Sequence, residues 1–418
     1  METPDRPLLM IPGPTEFSEA VLEAMGKPSP SHVAPQFIET FGKCIEQLRR
    51  VFLTAKGQPF VLAGSGTLAW DMTACNLLEK GDKALVVSTG YFSEGFADCL
   101  EAYGATVTKL EAPVGDCPTL DALSEALSAE EKPYRLVTLT HVDTSTGVFT
   151  DVKAFAERIR QLSPQTLIVV DGVCASAAEE LRMDEWDVDV VVTASQKAIG
   201  VPPGLAILIA SERAMNHFQQ RTTPVANYFC DWKRWLPIMQ SYERRQPSYF
   251  ATPPVNLIQA LSVSLDEIVE QQGMEARFKQ HRECAARFRK AVKQGLGLEV
   301  VPVREELQAN TITAIRYPQG FYCVSLLKNP FFSTNEQTTT GIKGPELLVK
   351  LKEKGIIAAG GIHRQIRAEY FRIGHMGVSV MHWQENKHLE KTVRALQDSL
   401  KELGHSFPEN AAVSAFLE

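Results

Sequence analysis

Residues 188–210 read VDVVVTASQKAIGVPPGLAILIA. Two apolar runs in this stretch, Val188–Thr193 and Leu205–Ala210, are separated by a turn that contains Lys197 and a Pro-Pro-Gly sequence. Both runs are apolar at most positions rather than at every second one, which is typical of strands that helices cover on both faces of a sheet. The stretch therefore predicts two buried strands, with a lysine close to the end of the first.

Runs of the same kind recur toward the N-terminus. Helix-period stretches separate them, and in one of these Asp151 occupies the N-cap position before an apolar helical face. That face consists of Val152, Phe155, Ala156, Ile159 and Leu162. The alternation predicts an α/β fold with a mostly parallel sheet, whose other strands are Phe60–Ala63, Ala84–Ser88, Leu136–Thr140 and Leu167–Val170.

The C-terminal part of the chain has a different pattern. A helical stretch is predicted from Pro254 toward Gln294 and connects two domains, and a polar stretch over 328–344 predicts a long loop. Beyond Glu299 strands and helices mix in an α+β arrangement, for example Phe321–Leu327, Pro345–Lys354 and Glu385–Leu403. We expect an N-terminal arm over residues 1–20, a large domain over 21–270 and a small domain over 271–418.

Composition excludes several classes of protein. The 418 residues are 44% hydrophobic and carry 43 basic and 50 acidic side chains, a net charge of -7, which disfavours wholesale binding of nucleic acid or of anionic lipid. No apolar run reaches the ~18 residues that a membrane span requires. The eight cysteines are scattered without a C-x-x-C pair, so neither a zinc site nor a disulfide framework is predicted.

We expect a reducing compartment for the same reason. The N-terminus has the pattern of neither a secretory signal nor a transit peptide, and the C-terminal Ala-Phe-Leu-Glu is not a peroxisomal address. Cytoplasm is the expected location. Mitochondrial or peroxisomal import by another route stays open.

Lys197 and Asp171 are the first candidates for chemistry. An aldehyde cofactor such as pyridoxal phosphate requires a lysine whose amine forms a Schiff base, and a carboxylate that keeps the pyridine nitrogen protonated. Asp171 ends the apolar run that precedes it, and parallel strands end at a common edge of the sheet, where ligands bind. From spacing alone, a lysine and an aspartate that merely occupy strand ends remain the alternative.

A glycine-rich turn follows the strand at Phe60–Ala63. Gly64, Ser65, Gly66 and Thr67 precede a helix-like stretch, and small residues there expose backbone N–H groups that bind phosphate at a helix start. The spacing also satisfies the loose dinucleotide fingerprint, which leaves a nicotinamide-binding Rossmann domain open. That alternative requires an acidic residue after the next strand, where Thr-Gly-Tyr-Phe92 stands instead.

Three further features lie where the same edge of the sheet is expected. Phe92 suits stacking on a flat ring, or belongs to the core. The polar segment His141–Gly147 contains hydroxyls that reach a ring oxygen, or forms a Ser/Thr turn. Arg372 stands in an apolar stretch and suits a bidentate contact with a substrate carboxylate, or a salt bridge within the protein. No histidine has metal-ligand spacing.

Six ordered segments together resemble the class V aminotransferases, in particular the alanine–glyoxylate and serine–pyruvate aminotransferases. The resemblance covers nearly the whole chain. It implies a fold-type I pyridoxal-phosphate transferase with a small α+β C-terminal domain, and a homodimer with two shared active sites. The segments are Ile11-Pro-Gly-Pro-Thr15, Ala63-Gly-Ser-Gly-Thr67, Thr146-Gly147, Val170-Asp171-Gly-Val, Ser195-Gln196-Lys197-Ala with Pro202-Pro-Gly204, and Phe371-Arg372-Ile-Gly.

The resemblance also implies roles for single residues. Lys197 would hold the cofactor and Asp171 its pyridine nitrogen, while Val173 would lie against the ring and Thr144 beside its oxygen. Arg372 and Gly13 would bind substrate. The phosphate would be bound by Gly64, Ser65, Gly66, Thr67 and Gln196, together with Tyr249 and Thr252 of the other subunit. Phe92 and Thr67 stand where relatives often carry tryptophan and histidine, and Thr144 where they commonly carry serine, so ring stacking and phosphate contacts are expected to differ.

The implied reaction is a ping-pong transamination through a Schiff base on Lys197. Alanine as donor and glyoxylate as acceptor, giving pyruvate and glycine, are the expected substrates. The sequence offers no obvious second arginine that would bind the second carboxylate of a longer dicarboxylate substrate. Serine–pyruvate, serine–glyoxylate and 2-aminoethylphosphonate transamination remain alternatives. A cysteine desulfurase would share the fold, although that family commonly has histidine where Gln196 stands. A cofactor-binding protein without catalysis would lack chemistry that Lys197, Asp171 and Arg372 provide.

Overall fold

The apolar runs form strands in the computed structural model of the chain, which describes residues 6–318, 320, 321 and 344–418. The strands of this part are β1 (Leu8–Leu9), β2 (Gln58–Ala63), β3 (Lys83–Val87), β4 (Thr106–Leu110), β5 (Leu136–Thr140), β6 (Leu167–Asp171), β7 (Val190–Ala194), β8 (Leu205–Ala210), β9 (Ile312–Arg316), β10 (Ile356–Ile357), β11 (Ala359–Gly360) and β12 (Tyr370–Gly374).

Helices connect the strands and cover the sheet. In chain order they are α1 (Glu19–Met25), α2 (Pro35–Val51), α3 (Gly66–Leu77), α4 (Tyr91–Ala102), α5 (Leu120–Ser128), α6 (Val152–Leu162), α7 (Glu212–Gln219), α8 (Trp232–Glu243), α9 (Val255–Asp266), α10 (Met274–Lys290), α11 (Gly344–Glu353), α12 (Val378–Met381), α13 (Trp383–Asn386), α14 (His388–Glu402) and α15 (Ala411–Leu417).

The main sheet has seven strands in the order β2-β8-β7-β6-β5-β3-β4. Pairing is parallel from β7 through β4, while β8 is antiparallel to both of its neighbours. The predicted α/β class with a mostly parallel sheet is thereby confirmed. Strand β4 was not predicted, because it is a half-exposed edge strand and lacks a continuous apolar run.

Burial explains why the inner strands read as continuous apolar runs. Every residue of β5, β6, β7 and β8 is buried, since helices pack on both faces of the sheet. The predicted N-cap of α6 is confirmed, because the Asp151 side chain accepts a hydrogen bond of 3.0 Å from Ala154 N. Among the described helices, none combines the length and the apolar character needed to cross a bilayer.

A second core lies in the C-terminal part. Strands β11, β12 and β9 form an antiparallel sheet there, and β1 pairs with β10, so the N-terminal segment joins this part of the molecule. Buried side chains between Cys284 and Phe416, together with Met10, form a cluster separate from the large core around the main sheet. The domain boundaries drawn from the sequence stay a prediction.

Two predicted helices are interrupted. The stretch from Pro254 to Gln294 is not one helix, because a π-helical segment over Glu267–Gln272 ends at Gly273, whose φ of +77° breaks the helix before α10. The helix predicted over Glu385–Leu403 divides at Lys387, which has a left-handed backbone. Most of the predicted strand Phe321–Leu327 and of the polar stretch 328–344 lies outside the described residues.

Strand direction collects the candidate residues at one edge of the main sheet. Strands β3, β5, β6 and β7 are parallel, and β2 runs in the same direction because two antiparallel pairings connect it to β7. Their carboxyl ends therefore share the edge at which open α/β sheets bind ligands. The segments that follow these strands begin at Gly64, Ser88, His141, Gly172 and Ser195.

Candidate active site

Hydrogen bonds within the turn after β7 fix the backbone of Lys197. The Ser195 hydroxyl donates to Pro202 O over 2.8 Å and accepts from Leu205 N over 3.2 Å, which ties the start of the turn to its end. Gly200 N donates to Lys197 O over 2.8 Å. The lysine backbone is therefore fixed by a closed set of local hydrogen bonds.

The N-terminal segment covers this turn from the other side. Thr15 donates from its backbone N to Gln196 O (3.1 Å) and from its hydroxyl to Lys197 O (3.2 Å), while Lys197 Nζ donates to Pro12 O. Gly13 has a φ of +118°, and a Cβ there would lie 2.6 Å from Cδ of Lys197. Only glycine allows this approach of the backbone to the amine.

Burial decides the electrostatics of the amine. Lys197 is 7% exposed, and its pKa is lowered from the ordinary lysine value, chiefly because burial disfavours the charged form. The Arg372 cation lowers it further, while Cys174 and Asp171 oppose the shift. A larger fraction of Lys197 is therefore the neutral, nucleophilic amine than for an exposed lysine.

Asp171 ends β6 in a buried position with two hydrogen bonds. Its Oδ1 accepts from Val173 N and its Oδ2 from Trp70 Nε1, both over 2.9 Å. Burial raises its pKa to about 6, and Asp143 adds to this rise, while both hydrogen bonds and Lys197 oppose it. Above that pH the site holds a buried anion, which suits a protonated ring nitrogen.

The glycine-rich turn joins the same group. Gly64 N donates to Gly204 O over 2.9 Å, which ties the turn after β2 to the lysine turn. A Cβ on Gly66 would lie 3.1 Å from Val173 Cγ2 and 3.2 Å from Ala194 Cβ. Helix α3 begins at Gly66, and the side chain of its N-cap Ser65 makes no capping hydrogen bond; that hydroxyl contacts Thr67 Oγ1 at 2.6 Å instead.

A buried aspartate fixes Phe92 at the edge of the sheet. Asp143 Oδ2 accepts from Phe92 N and Ser93 N, both over 3.2 Å, at the start of α4. The Phe92 ring is partly buried and packs against the large core, so part of the core interpretation is correct. Asp143 Oδ1 also accepts from the Ser145 hydroxyl over 2.6 Å, which connects α4 to the polar turn after β5.

Arg372 contacts the polar turn His141–Gly147 that follows β5. Arg372 Nη1 donates to Thr144 O over 3.0 Å and its Nε to Gly360 O over 2.9 Å. No carboxylate pairs with Arg372 among the ion pairs of the described residues, so the salt-bridge interpretation is not supported there. Burial lowers its pKa. Within this turn the Thr146 hydroxyl accepts from Val148 N over 3.3 Å, so part of the Ser/Thr-turn interpretation is correct, and it donates to Thr89 O on another segment over 2.9 Å.

Two predicted residues stand outside this group in a single chain. Tyr249 is 62% exposed and lies 3.4 Å, oxygen to oxygen, from the hydroxyl of Thr252, which is also exposed. The Tyr249 ring packs on His32 with a centroid distance of 5.2 Å. Their exposure is compatible with the prediction that they act in a partner's site.

Sequence reasoning missed several residues that the structure brings to the site. Trp70 bonds Asp171, Pro12 accepts from Lys197, and Asp143 organises α4. Arg277 of α10 donates to Ala198 O next to the lysine, over 2.8 Å. Signals existed for three of them, since Pro12 and Asp143 lie inside the segments Ile11–Thr15 and His141–Gly147 that the sequence singles out, and Trp70 lies one helical turn after Gly66.

The donor set fits pyridoxal phosphate. Gln196 has a buried Oε1 without a hydrogen-bond partner in the described part of the chain, next to the amine that would bind an aldehyde. A Cβ on Gly66 would crowd Val173 and Ala194, so glycine lets the turn pack closely against the strands that carry Asp171 and Lys197. Asp171 supplies the anion for a pyridine nitrogen. The residues at this edge therefore match the charges of that group.

Comparison with known proteins agrees with this chemistry. The profile of the family described as "Aminotransferase class-V" matches residues 11–325. Alanine–glyoxylate aminotransferase 1 of Saccharomyces cerevisiae is 43% identical over 89% of this chain and 92% of its own. L-aspartate–glyoxylate aminotransferase of Paracoccus denitrificans is 32% identical over 88% and 86%. The crystal structure of an alanine–glyoxylate aminotransferase from Nostoc sp. superimposes with a TM-score of 0.81, at 27% identity over 96% of both chains.

Substitution of Gly13 by alanine should impair Lys197 selectively. The added Cβ would displace the Lys197 side chain, so attachment of pyridoxal phosphate, followed by visible absorbance, should slow by about tenfold or more. Gly297→Ala is the matched control, because Gly297 also has a positive φ of +65° but has no atom within 4 Å of the added Cβ. Equal attachment rates in the two variants would contradict the contact.

Removal of the Asp171 charge should stabilise the cofactor-free protein at neutral pH. The folded pKa of about 6 exceeds the ordinary 3.8, so between these values the folded state binds more protons and stability falls as pH rises. The advantage of Asp171→Asn in unfolding free energy should thus grow by about 2 kcal/mol from pH 4 to 7.5. Urea unfolding at both pH values measures it.

Asp121→Asn, at a side chain that is 93% exposed, provides the control for this pH comparison. Its effect on stability should be small at both pH values. A pH-independent effect of Asp171→Asn would show that burial of the Asp171 charge costs little.

Proposed function

The chain belongs to the class V aminotransferases and is a pyridoxal-phosphate-dependent transaminase, and we propose that it transfers an amino group from alanine to glyoxylate, forming pyruvate and glycine. Support comes from the buried, uncompensated Arg372 beside Lys197, which provides one site for one carboxylate. The name of the 43% identical yeast relative supports this choice of donor and acceptor.

Lys197 is proposed as both the attachment point and the base. Pyridoxal phosphate, when bound, supplies an aldehyde for the amino group and a ring that withdraws electrons from the reacting carbon. Lys197 Nζ takes the proton from Cα of the donor amino acid, which requires the neutral amine that burial favours. Hydrogen bonds around the turn fix the backbone that carries this amine.

Asp171 and the glycine-rich turn would hold the two ends of the cofactor. The Asp171 carboxylate would keep the ring nitrogen protonated, and the Val173 side chain would support one ring face. Backbone N–H groups of Ser65, Gly66 and Thr67 would bind the phosphate at the positive end of α3, with the Gln196 side chain beside them, while Gly64, whose N–H bonds Gly204 O, would border the phosphate. Thr144 and Phe92 are proposed contacts of the ring oxygen and the second ring face.

Arg372 is proposed to bind the carboxylate of donor and acceptor in turn. Its Nε and Nη1 donate hydrogen bonds to backbone carbonyl oxygens, and these two bonds fix the plane of the guanidinium. The Arg372 guanidinium is buried and has no carboxylate partner among the described residues, so a substrate carboxylate would neutralise its charge. Alanine and glyoxylate each need one such cation, whereas aspartate, the substrate named for the Paracoccus relative, carries a second carboxylate.

The partner is proposed to be a second copy of this chain. Exposed Tyr249 and Thr252 would complete the phosphate site of the other subunit, and Gly13 would border the substrate. We further propose a reducing, cytoplasmic setting, in keeping with the free thiols of the seven described cysteines. Serine with pyruvate or glyoxylate, 2-aminoethylphosphonate and, less well supported, cysteine desulfuration are the competing reactions.

A donor panel tests the proposed reaction. With glyoxylate as acceptor, purified protein supplied with pyridoxal phosphate should use alanine at a kcat/KM about tenfold or more above those of serine, aspartate and 2-aminoethylphosphonate, because Arg372 is matched to one carboxylate. Sulfide release from cysteine should be negligible. Preference for serine or aspartate would overturn the choice of donor and leave transamination intact.

Replacement of Arg372 by glutamine should weaken the binding of both substrates. Loss of the charge should lower kcat/KM by about tenfold to a hundredfold for alanine and for glyoxylate, mostly through KM. Arg316→Gln is the control, since Arg316 lies on the neighbouring strand β9 but pairs with Glu369 over 3.1 Å. An unchanged KM for either substrate would contradict the proposed role of Arg372.

A further inference from the structure

Trp70 contacts the buried carboxylate of the site directly. Its indole Nε1 donates to Asp171 Oδ2 over 2.9 Å, and the side chain is 7% exposed. Hydrogen bonds to an ionised acceptor are stronger than those between neutral groups. Each carboxylate oxygen of Asp171 accepts one protein N–H, from Trp70 or from Val173, and keeps capacity for a further donor.

The same helix carries the phosphate-binding turn. Helix α3 begins at Gly66, and Trp70 follows one helical turn later. A rigid helix therefore sets the distance between the N–H groups proposed to bind phosphate and the N–H group that holds Asp171. Both ends of the cofactor site depend on the placement of this one element.

The indole is itself held in place by packing. Trp70 stacks on Phe96 of α4 with a centroid distance of 5.2 Å and an interplanar angle of 10°. Gly95 lies against the other part of the ring, since a Cβ there would come within 3.3 Å of Trp70 Cζ3. Rotation of the indole away from Asp171 would therefore require α4 to move.

We propose that Trp70 is a positioning residue, whose indole N–H aims the Asp171 carboxylate at the ring nitrogen of the cofactor and keeps it ionised. The proposal rests on the proposed function, in which Asp171 pairs with that nitrogen. Trp70 acts through Asp171 and does not itself contact the substrate.

The other groups that face Asp171 do not replace this bond. Lys197 favours the anion and Asp143 opposes it, while the Val173 N–H bonds the other oxygen. On the neighbouring strands, Thr140 and Val192 flank Asp171 and carry no charge. His141, which donates its backbone N to Asp171 O, has a neutral ring because burial lowers its pKa to about 3.

Trp70→Phe removes the N–H and preserves a ring for stacking. Titration of the cofactor-free protein with pyridoxal phosphate should give a dissociation constant about tenfold to a hundredfold higher than that of the unaltered protein. In an Asp171→Asn background the same change should cost less than about threefold, because the charged acceptor is absent. The non-additivity distinguishes an effect through Asp171 from a loss of packing.

Trp232→Phe is the matched control. Trp232 is fully buried and stacks on Phe60 at 5.1 Å, but its Nε1 has no hydrogen-bond partner in the part of the chain that the structure describes. Its substitution should change cofactor affinity by less than about twofold. Equal affinities of the Trp70→Phe and Trp232→Phe variants, or an equal loss with and without the Asp171 charge, would overturn the proposal.

A second measurement covers the case in which Trp70→Phe does not fold. In protein labelled with ¹⁵N-tryptophan, Asp171→Asn should shift the indole N–H resonance of Trp70 and leave that of Trp232 in place. An unmoved Trp70 resonance would contradict the hydrogen bond. Because both tests read binding or resonance position, a failure of alanine–glyoxylate transamination would leave them unaffected, whereas unaltered protein that binds no cofactor would contradict the proposed function.

Discussion

Desolvation at the carboxyl edge of the sheet is the constraint on which the site depends. Lys197, Asp171 and Arg372 are each less than one-tenth exposed. Burial raises the pKa of Asp171 and lowers the pKa of Lys197 and of Arg372, so in each case it favours the neutral form. In the absence of ligands these groups cost stability, because among the described residues no direct ion pair neutralises any of them. The proposed cofactor and substrate, with an aldehyde, a protonated ring and a carboxylate, would offset all three costs.

The two cores meet at the amine. Lys197 lies in the turn after β7 of the main sheet, and its Nζ donates to Pro12 O; Pro12 follows β1, which pairs with β10 in the C-terminal part. Arg372 comes from β12 of that same part and bonds Thr144 in the turn after β5. The relative placement of Lys197 and Arg372, the proposed base and the proposed carboxylate site, therefore depends on contacts between the N-terminal and C-terminal parts of the chain.

The sequence sufficed for features that depend on local pattern. Six buried strands, the Asp151 cap and the common edge that collects Asp171 and Lys197 follow from apolar runs and strand direction. Contacts between distant segments could not be read in this way, since Trp70 and Asp171 are separated by 101 positions and Lys197 and Pro12 by 185. Strand β4 escaped prediction because an exposed edge needs no continuous apolar run.

The interrupted helix illustrates how a local irregularity serves a distant site. The sequence predicts a continuous helix from Pro254. In the structure the π-helical segment ends at Gln272, and α10 begins after Gly273, which is its N-cap. Arg277, one turn later, donates to Gln272 Oε1, to Ala177 O over 2.7 Å and to Ala198 O.

One buried guanidinium thus connects the break in the helix with the segment that follows Asp171 and with the residue after Lys197. A guanidinium bound to carbonyl oxygens retains its charge without a carboxylate partner, although burial lowers the pKa of Arg277 to about 10. The burial of the Arg277 charge is offset only while these hydrogen bonds persist. They therefore tie together the helix break at Gly273, Arg277 and the segments that contain Ala177 and Ala198. Arg277 therefore joins the backbone segments that follow Asp171 and Lys197, in addition to the sheet from which both segments emerge.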